Sequence, residues 1–474
     1  MSQRTTKKIP EIEGDISRVI EDAFFPTSPA ATVREAIFSE ILAGVMGASP
    51  TIGSLEQFYE AIEDEVPFNG ESSFRTAVEV FEATYTTTGE RGARGKRPKR
   101  YVIPFHPVIA ESIRPEETRN WGKWYQVLMT TDDGSYNVAL HDRFVNRLEN
   151  QRPSNIFEEV FVEAAKSHVE IEDREKPRPI RPYVQACADV FQEDLAAWLE
   201  DDVDSPSNWL QSTRDLFCFH FMNYYIQLAV NLRREFDFVK DMLNEPFEPK
   251  MVDLPFGLWD ETASGDRAFT DGWKELDGVG IERDVYDSWG RLAVINEIAT
   301  TLSEESEYMD ATPPTLSEAM QLPRPLQQSC VRSIENKFAE EERRYEVDLA
   351  TAAHRLASAV SHDYSQRPRA NQTPISMGIN VVRQLGDGKE RKYIRSQRGV
   401  GTTLRLNKSA LRFFARLFTH AKDETHYDGF IAYLRQRGVN LDRTSQQVAL
   451  QELEEMGMIH RLSDSGGAVY VRSI

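Results

Sequence analysis

The sequence has few cysteines and no uninterrupted apolar run long enough to cross a membrane. The three cysteines are Cys187, Cys218 and Cys330. Because they are far apart and lack the spacing of a metal site, we expect reduced core thiols in a cytoplasmic protein. The most apolar stretch, 216–232, is interrupted by one histidine and three amide side chains, which favours a buried helix and argues against a membrane partner. The N-terminal segment 1–14 is polar and charged, so we expect no secretory signal.

A positive net charge is also absent, since 56 Lys and Arg residues face 76 Asp and Glu residues and the formal net charge is -20. This balance argues against a protein that coats nucleic acid uniformly, but it leaves room for a local basic site. One basic segment is 383–416, where ten basic residues stand against Asp387 and Glu390. A second, 91–100, is rich in glycine and suits an exposed loop. Each segment is interpreted either as a phosphate-binding loop or as a solvated loop that docks on an acidic surface.

Catalytic and cofactor-binding motifs are missing as well. The run 89–96 departs from a phosphate-binding loop in its glycine register, and Arg97 stands where Ser or Thr would follow. The nine histidines form no HExxH motif and no His/Cys ligand set. We therefore expect no cofactor and no metal, and the sequence favours a non-catalytic protein over an enzyme with an unrecognised site.

Apolar residues recur with helical spacing through most of the chain, as Val33, Ile37 and Ile41 illustrate. In the body, short β-branched or aromatic runs predict strands at 101–105 and 124–129. The predicted helices of the body are 31–46, 55–62, 74–85, 138–148, 156–168, 184–199, 210–239, 285–302 and a long charged helix at 326–364.

Two proline-rich stretches, 172–182 and 311–325, divide the chain, because proline ends or turns helices. Between them, 247–280 is rich in Gly, Asp and Trp, and we predict an irregular surface segment packed by Trp259 and Trp273. The predicted domains are an N-terminal helical domain with a basic loop (1–171), a central helical domain (172–322), a long charged helix with an Arg-rich loop (323–400) and a winged helix domain (401–474).

The C-terminal segment has the element order of a winged helix-turn-helix. Its predicted elements are helices at 409–420, 427–437 and 442–456, followed by a hairpin of 458–462 and 468–471. Gly438 ends the second helix, and Asp442 or Thr444 caps the third. The predicted fold class is thus mainly α, with a multi-helical body and a C-terminal winged helix-turn-helix domain.

In such a domain the third helix enters the major groove with its N-terminal residues nearest the bases, and the wing touches the flanking backbone. Gln and Arg contact base edges, while Ser binds phosphate. The predicted DNA-binding residues of this helix, the wing and the two basic segments are Arg443, Ser445, Gln446, Gln447, Arg461, Ser465, Arg395, Arg398, Arg412, Arg94, Lys96 and Arg97. Against DNA contact, Glu452, Glu454 and Glu455 give the later turns negative charge, and winged helices also dock proteins.

The C-terminal residues resemble the tail of DptG proteins. The matching residues are Arg437-Gly438-Val439, Leu441-Asp442-Arg443, Leu453, Gly457-Met458-Ile459, Ser463-Asp464-Ser465-Gly466 and Ala468-Val469-Tyr470-Val471. DptG belongs to the DptFGH (also DndFGH) restriction modules linked to DNA phosphorothioation in bacteria and archaea. The resemblance covers 437–474 and elsewhere extends only to length and helical character. It implies a restriction component that acts with partner subunits, including an ATPase, against DNA that lacks backbone sulfur.

The first functional hypothesis is a non-catalytic, DNA-binding accessory subunit of a phosphorothioation-dependent restriction complex in anti-phage defence. Its expected partners are double-stranded DNA and the other subunits of the module, including the ATPase. The alternative is a docking adaptor or scaffold whose winged helix binds the partner ATPase.

Overall fold

The structure is a computed structural model that describes the greater part of the chain. The described residues are 12, 34–48, 51–65, 70–88, 100–113, 121–169, 177–200, 206–241, 245–258, 281–304, 315–366, 381–386, 392–397, 401–421, 425–461 and 469–472. Within them the fold is mainly helical, which confirms that part of the predicted fold class.

The helices begin and end close to the positions that the apolar spacing predicts for most of the body. They are α1 (Arg34–Met46), α2 (Leu55–Glu65), α3 (Glu71–Tyr85), α4 (Pro107–Ser112), α5 (Trp121–Leu128), α6 (Val138–Glu149), α7 (Ile156–Lys166), α8 (Gln185–Leu199), α9 (Pro206–Asp241), α10 (Ile281–Glu304), α11 (Leu316–Ala319), α12 (Arg324–Glu335), α13 (Leu349–Gln366), α14 (381–386), α15 (Lys408–Ala421), α16 (Tyr427–Gln436) and α17 (Arg443–Glu455).

The strands form two antiparallel pairs and one mixed sheet. The strands are β1 (Thr86–Thr88), β2 (Arg100–Val102), β3 (Leu254–Leu258), β4 (Ile394–Gln397), β5 (Gly401–Leu406), β6 (Val439–Leu441), β7 (Ile459–Arg461) and β8 (Val469–Val471). β1 pairs with β2 and β7 with β8, while the mixed sheet has the order β4-β5-β3-β6. In it β3 runs parallel to both neighbours, with Gly257 opposite Arg405 and Leu254 opposite Val439. This sheet therefore joins segments that are distant in the sequence.

One strand and one helix predicted for the body are wrong. The run 124–129 was expected to be a strand, but it lies mainly in α5, where Trp121, Trp124 and Leu128 are buried at helical spacing. The single helix expected at 326–364 is two helices, because α12 ends at Glu335 and α13 begins at Leu349.

Two carboxylates explain where the second of these helices begins and how it packs on the first. Asp348 caps α13 by accepting the backbone N–H of Thr351 at 2.7 Å. Glu335, at the end of α12, is buried and pairs with Arg355 of α13. The chain thus folds back between the two helices instead of continuing as one.

The segment predicted to be irregular, 247–280, also contains a strand. β3 lies inside it and is buried at Leu254 and Phe256, so the prediction is wrong for these residues. Trp259 and Trp273, which were expected to pack the segment, lie outside the described residues.

The core consists of two clusters of buried apolar side chains. The larger one takes residues from each of the four predicted domain ranges, among them Ile37, Leu228, Val381 and Leu411. The smaller one packs α2, α3, α4 and α7 around aromatic rings such as Phe81. Cys187, Cys218 and Cys330 are buried in the core, as predicted.

The amides that interrupt the apolar stretch of α9 bind backbone groups inside the core. Gln227 donates to the carbonyl oxygen of Val252 at 2.7 Å and accepts its N–H at 2.8 Å. Asn231 makes the same pair of bonds with Lys250 at 3.0 and 3.1 Å. Gln227 and Asn231 are four residues apart on the helix, and Val252 and Lys250 are two residues apart in extended chain. Both separations are about 6 Å, so the two pairs of hydrogen bonds can form side by side. Asn223 adds a bond to the carbonyl oxygen of Arg437 at 3.0 Å.

A buried ion pair ties the C-terminal helices to the body. Arg437, which follows α16, donates from Nε to Asp194 of α8 at 2.8 Å, and both side chains have 0% exposure. Asp194 also accepts from Tyr433 and interacts with His220 at 3.0 Å. Burial alone would raise the pKa of the Asp194 carboxyl, but Arg437 and His220 outweigh it and hold that pKa well below its usual range. Asp194 is therefore ionised in the folded protein.

Replacing Arg437 with Met should lower the free energy of unfolding by about 3–5 kcal/mol, because it leaves the Asp194 carboxylate buried without its cation. Urea unfolding followed by circular dichroism measures this change. The matched control is Arg435→Met, since Arg435 is exposed and pairs with Asp253 at the surface, where solvent and salt screen an ion pair and its contribution to stability is small. Equal losses in the two variants would contradict the prediction.

A second prediction concerns pH and Asp284 of α10, whose side chain is 1% exposed and lies 3.1 Å from Arg233. Burial outweighs the nearby arginines and raises the pKa of this carboxyl to about 6. Between about pH 4 and pH 6, the Asp284 carboxyl therefore keeps its proton in the folded protein but has lost it in the unfolded chain. The contribution of Asp284 to stability falls as the pH rises through this range. Relative to Asp284→Asn, the wild type should lose about 2 kcal/mol of unfolding free energy between pH 4.5 and pH 7.5. A difference that stays constant over this range would contradict the assignment.

Candidate nucleic-acid interface

The C-terminal helices begin with α15, which has one buried and one exposed face. Leu411, Phe414 and Phe418 are buried, as the spacing of the apolar residues predicts. Arg412 points away from this face and is exposed. The predicted outer position of Arg412 is therefore observed.

The start of α17 is fixed by the residues that precede it. Gly438 has a φ of 74°, in the left-handed region that favours glycine, and it ends the preceding helix as predicted. β6 follows, and Asp442 then caps α17 by accepting the N–H of Ser445 at 2.6 Å. In the first turns of α17, Arg443 and Gln447 are exposed.

The other two predicted residues of this helix face inward. Ser445 is 3% exposed, and its Oγ accepts the backbone N–H of Leu258 at 3.3 Å. Gln446 is half-buried and donates from Nε2 to the carbonyl oxygen of Leu441 at 2.8 Å. Both side chains thus stabilise the junction of α17 with β3 and β6. Of the four predicted residues of this helix, Arg443 and Gln447 are exposed.

The acidic residues of the later turns of α17 are held in ion pairs. Lys408 at the start of α15 lies 2.6 Å from Glu452 and 3.0 Å from Glu455. These carboxylates raise the pKa of the Lys408 ammonium above its ordinary value. Glu454 accepts from Nε of Arg461 at 2.7 Å. The negative charge that counts against DNA contact is therefore partly neutralised by neighbouring cations.

Arg461 lies at the end of β7, which pairs antiparallel with β8. The predicted strands of the hairpin are thus present, whereas the connection between them, including Ser465, lies outside the described residues. Of the predicted wing contacts, Arg461 alone has a described position.

The basic segments are only partly described. Arg94, Lys96, Arg97 and Arg398 lie outside the described residues, and for Arg395 the structure describes the backbone in β4 but not the side chain.

Two other cations of the segment 383–416 serve the fold. Lys392 is 5% exposed and pairs with Asp215 of α9. The guanidinium of Arg416 lies over the Trp198 ring, 5.5 Å from its centre. Part of the basic charge counted in the sequence is therefore not available to a ligand.

The sequence analysis did not predict the buried pair of His220 and Asp194, although a His and Asp pair is part of several catalytic relays. Burial lowers the pKa of His220 more than the hydrogen bond and charge of Asp194 raise it, so the imidazole stays neutral. Both side chains are nearly or fully buried, and the arrangement holds the C-terminal helices rather than a substrate. The one signal for it in the sequence is the position of His220 inside an apolar run.

Among the described residues, no group of three or more His, Cys, Asp or Glu side chains is arranged to hold a metal ion. In the same part of the chain, no helix is both long enough and apolar enough to cross a membrane. Comparison of the sequence with protein-family models and with curated proteins gives no match.

Proposed function

We propose that this chain is a non-catalytic, duplex-DNA-binding accessory subunit of a phosphorothioation-dependent restriction complex. In this proposal the segment from α15 to β8 is a winged helix domain, and the N-terminal turn of α17 reads the major groove. The acidic helical body binds the partner subunits, including an ATPase. The restriction role comes from the resemblance of 437–474 to DptG proteins.

The observation that carries the DNA-binding proposal is the start of α17. Arg443 and Gln447 are exposed there, four residues apart on the helix and therefore on one face. Both residue types bind base edges with two hydrogen bonds. The helix is capped by Asp442 and is followed by the antiparallel pair β7 and β8, which is the order that a recognition helix and a wing require. Arg412 on α15 adds an exposed cation for the DNA backbone.

The negative charge of α17 is less of an obstacle than the sequence alone indicates. Glu452 and Glu455 share Lys408, and Glu454 holds Arg461. A cation close to each carboxylate reduces its repulsion of phosphate, and salt screens what remains.

Fluorescence anisotropy of a labelled duplex tests the proposal with the full chain. We expect wild-type binding that weakens steeply between about 50 and 200 mM salt, because each neutralised phosphate releases counterion. The double variant Arg443→Ala/Gln447→Ala should bind at least about tenfold more weakly, since it loses groups that contact bases and phosphate. The control is Arg283→Ala, which removes an arginine of α10 whose side chain is 77% exposed. The proposal fails if the wild type does not bind at low salt or if the double variant binds as the wild type does.

The alternative is a docking adaptor whose C-terminal helices bind the partner ATPase. One observation favours it: Lys408 and Arg461 are already paired with glutamates, which leaves a charge-balanced surface around the later turns of α17. An adaptor should co-purify with its partner subunit at high salt, because apolar burial is not screened. Loss of that complex in the surface variant Arg412→Glu/Gln447→Glu, with an unchanged circular dichroism spectrum and no DNA binding by the wild type, would favour the adaptor over the first proposal.

A further inference from the structure

Arg461 is the predicted wing cation, and a carboxylate of the predicted recognition helix already occupies it. Both Nε and Nη2 of Arg461 donate to the same oxygen of Glu454, the first at 2.7 Å. The side chains keep 57% and 38% exposure. Solvent, and therefore a ligand, can reach both partners.

The guanidinium of arginine binds a carboxylate and a phosphate in the same way, because its planar N–H groups donate to the oxygen atoms of either anion. A DNA phosphate that binds Arg461 must therefore displace Glu454. An exposed ion pair is weak and is screened by salt, so the displacement is possible but reduces what the new contact contributes.

The neighbouring carboxylate provides an internal comparison. Glu455 carries the same charge one position further along α17, but it lies 3.0 Å from Lys408. Removing either charge changes the net charge of the helix equally, whereas only Glu454 holds Arg461 within the described residues.

We propose that Glu454 is an internal competitor of the DNA backbone, which occupies Arg461 when no DNA is bound and so lowers the affinity for duplex. The contact is autoinhibitory: Arg461 contributes to binding only to the extent that phosphate displaces the carboxylate. This inference rests on the proposed DNA-binding function and assigns a regulatory role to one residue of the same surface.

The test is a double-mutant cycle on the full chain with a labelled duplex, measured by anisotropy over a range of salt concentrations. We expect Glu454→Gln to lower the Kd by roughly threefold to tenfold at low salt and to steepen the salt dependence by about 0.9, the slope for one more phosphate contact. Adding Arg461→Ala should abolish this gain. Arg461→Ala in the wild-type background should change the Kd by less than about twofold, because Glu454 already offsets the cation. Glu455→Gln is the charge-matched control, and circular dichroism confirms that each variant is folded.

Two results would overturn the inference while the DNA-binding proposal stands. One is a wild type that binds DNA and an unchanged affinity in Glu454→Gln. The other is an equal gain in Glu454→Gln and Glu455→Gln that survives Arg461→Ala, because net charge alone would then explain it. If none of the variants binds DNA, the proposed function itself is wrong and the inference falls with it.

Discussion

The placement of the C-terminal helices depends on one buried ion pair, between Asp194 of α8 and Arg437 after α16. The two residues are 243 positions apart in the sequence and have no exposed side-chain surface. Removing two charges from water is costly, and the attraction between them offsets that cost only when further hydrogen bonds satisfy both groups. Tyr433 and His220 complete the partners of Asp194. A placement of α16 that left Asp194 buried without Arg437 would leave an unpaired charge, so the pair favours the observed position of the helix.

The orientation of α17 follows from that placement. The chain leaves Arg437 through Gly438, pairs as β6 with β3, and enters α17 at Asp442. The backbone N–H of Leu258 in β3 reaches the first turn of the helix through the Ser445 hydroxyl. Arg443 and Gln447 are thus presented from a helix whose start is held on two sides. A surface held in this way loses less conformational entropy when it binds a ligand.

Local patterns predicted most helices correctly, whereas contacts between distant residues could not be predicted. The spacing of Ile37 and Ile41 is a property of α1 alone, but β3 exists because β5 and β6 lie beside it, and neither neighbour is close in sequence. Aromatic residues are common in strands, which is why a strand was predicted here. The segment is the helix α5 instead, because its aromatic residues are buried on one helix face. At the candidate site, the exposure of Arg412 was predictable from its helix. The burial of Lys392 was not, because its partner Asp215 is 177 residues away.

The number of basic residues in the segment 383–416 therefore overstates the positive charge that is available to a ligand. Within the segment 383–416, Lys392 pairs with a buried aspartate, Arg416 covers a tryptophan and Lys408 is bound to glutamates. Outside it, Arg461 is bound to Glu454. Each such cation contributes to the fold or to local neutrality before it contributes to a ligand. Because affinity for random DNA grows with the number of phosphates neutralised, cations that are paired in this way add little to such affinity. In the proposed function, weak intrinsic binding would suit a subunit of a larger assembly, since linked contacts add through effective concentration, and discrimination would rest on Arg443 and Gln447 at the start of α17.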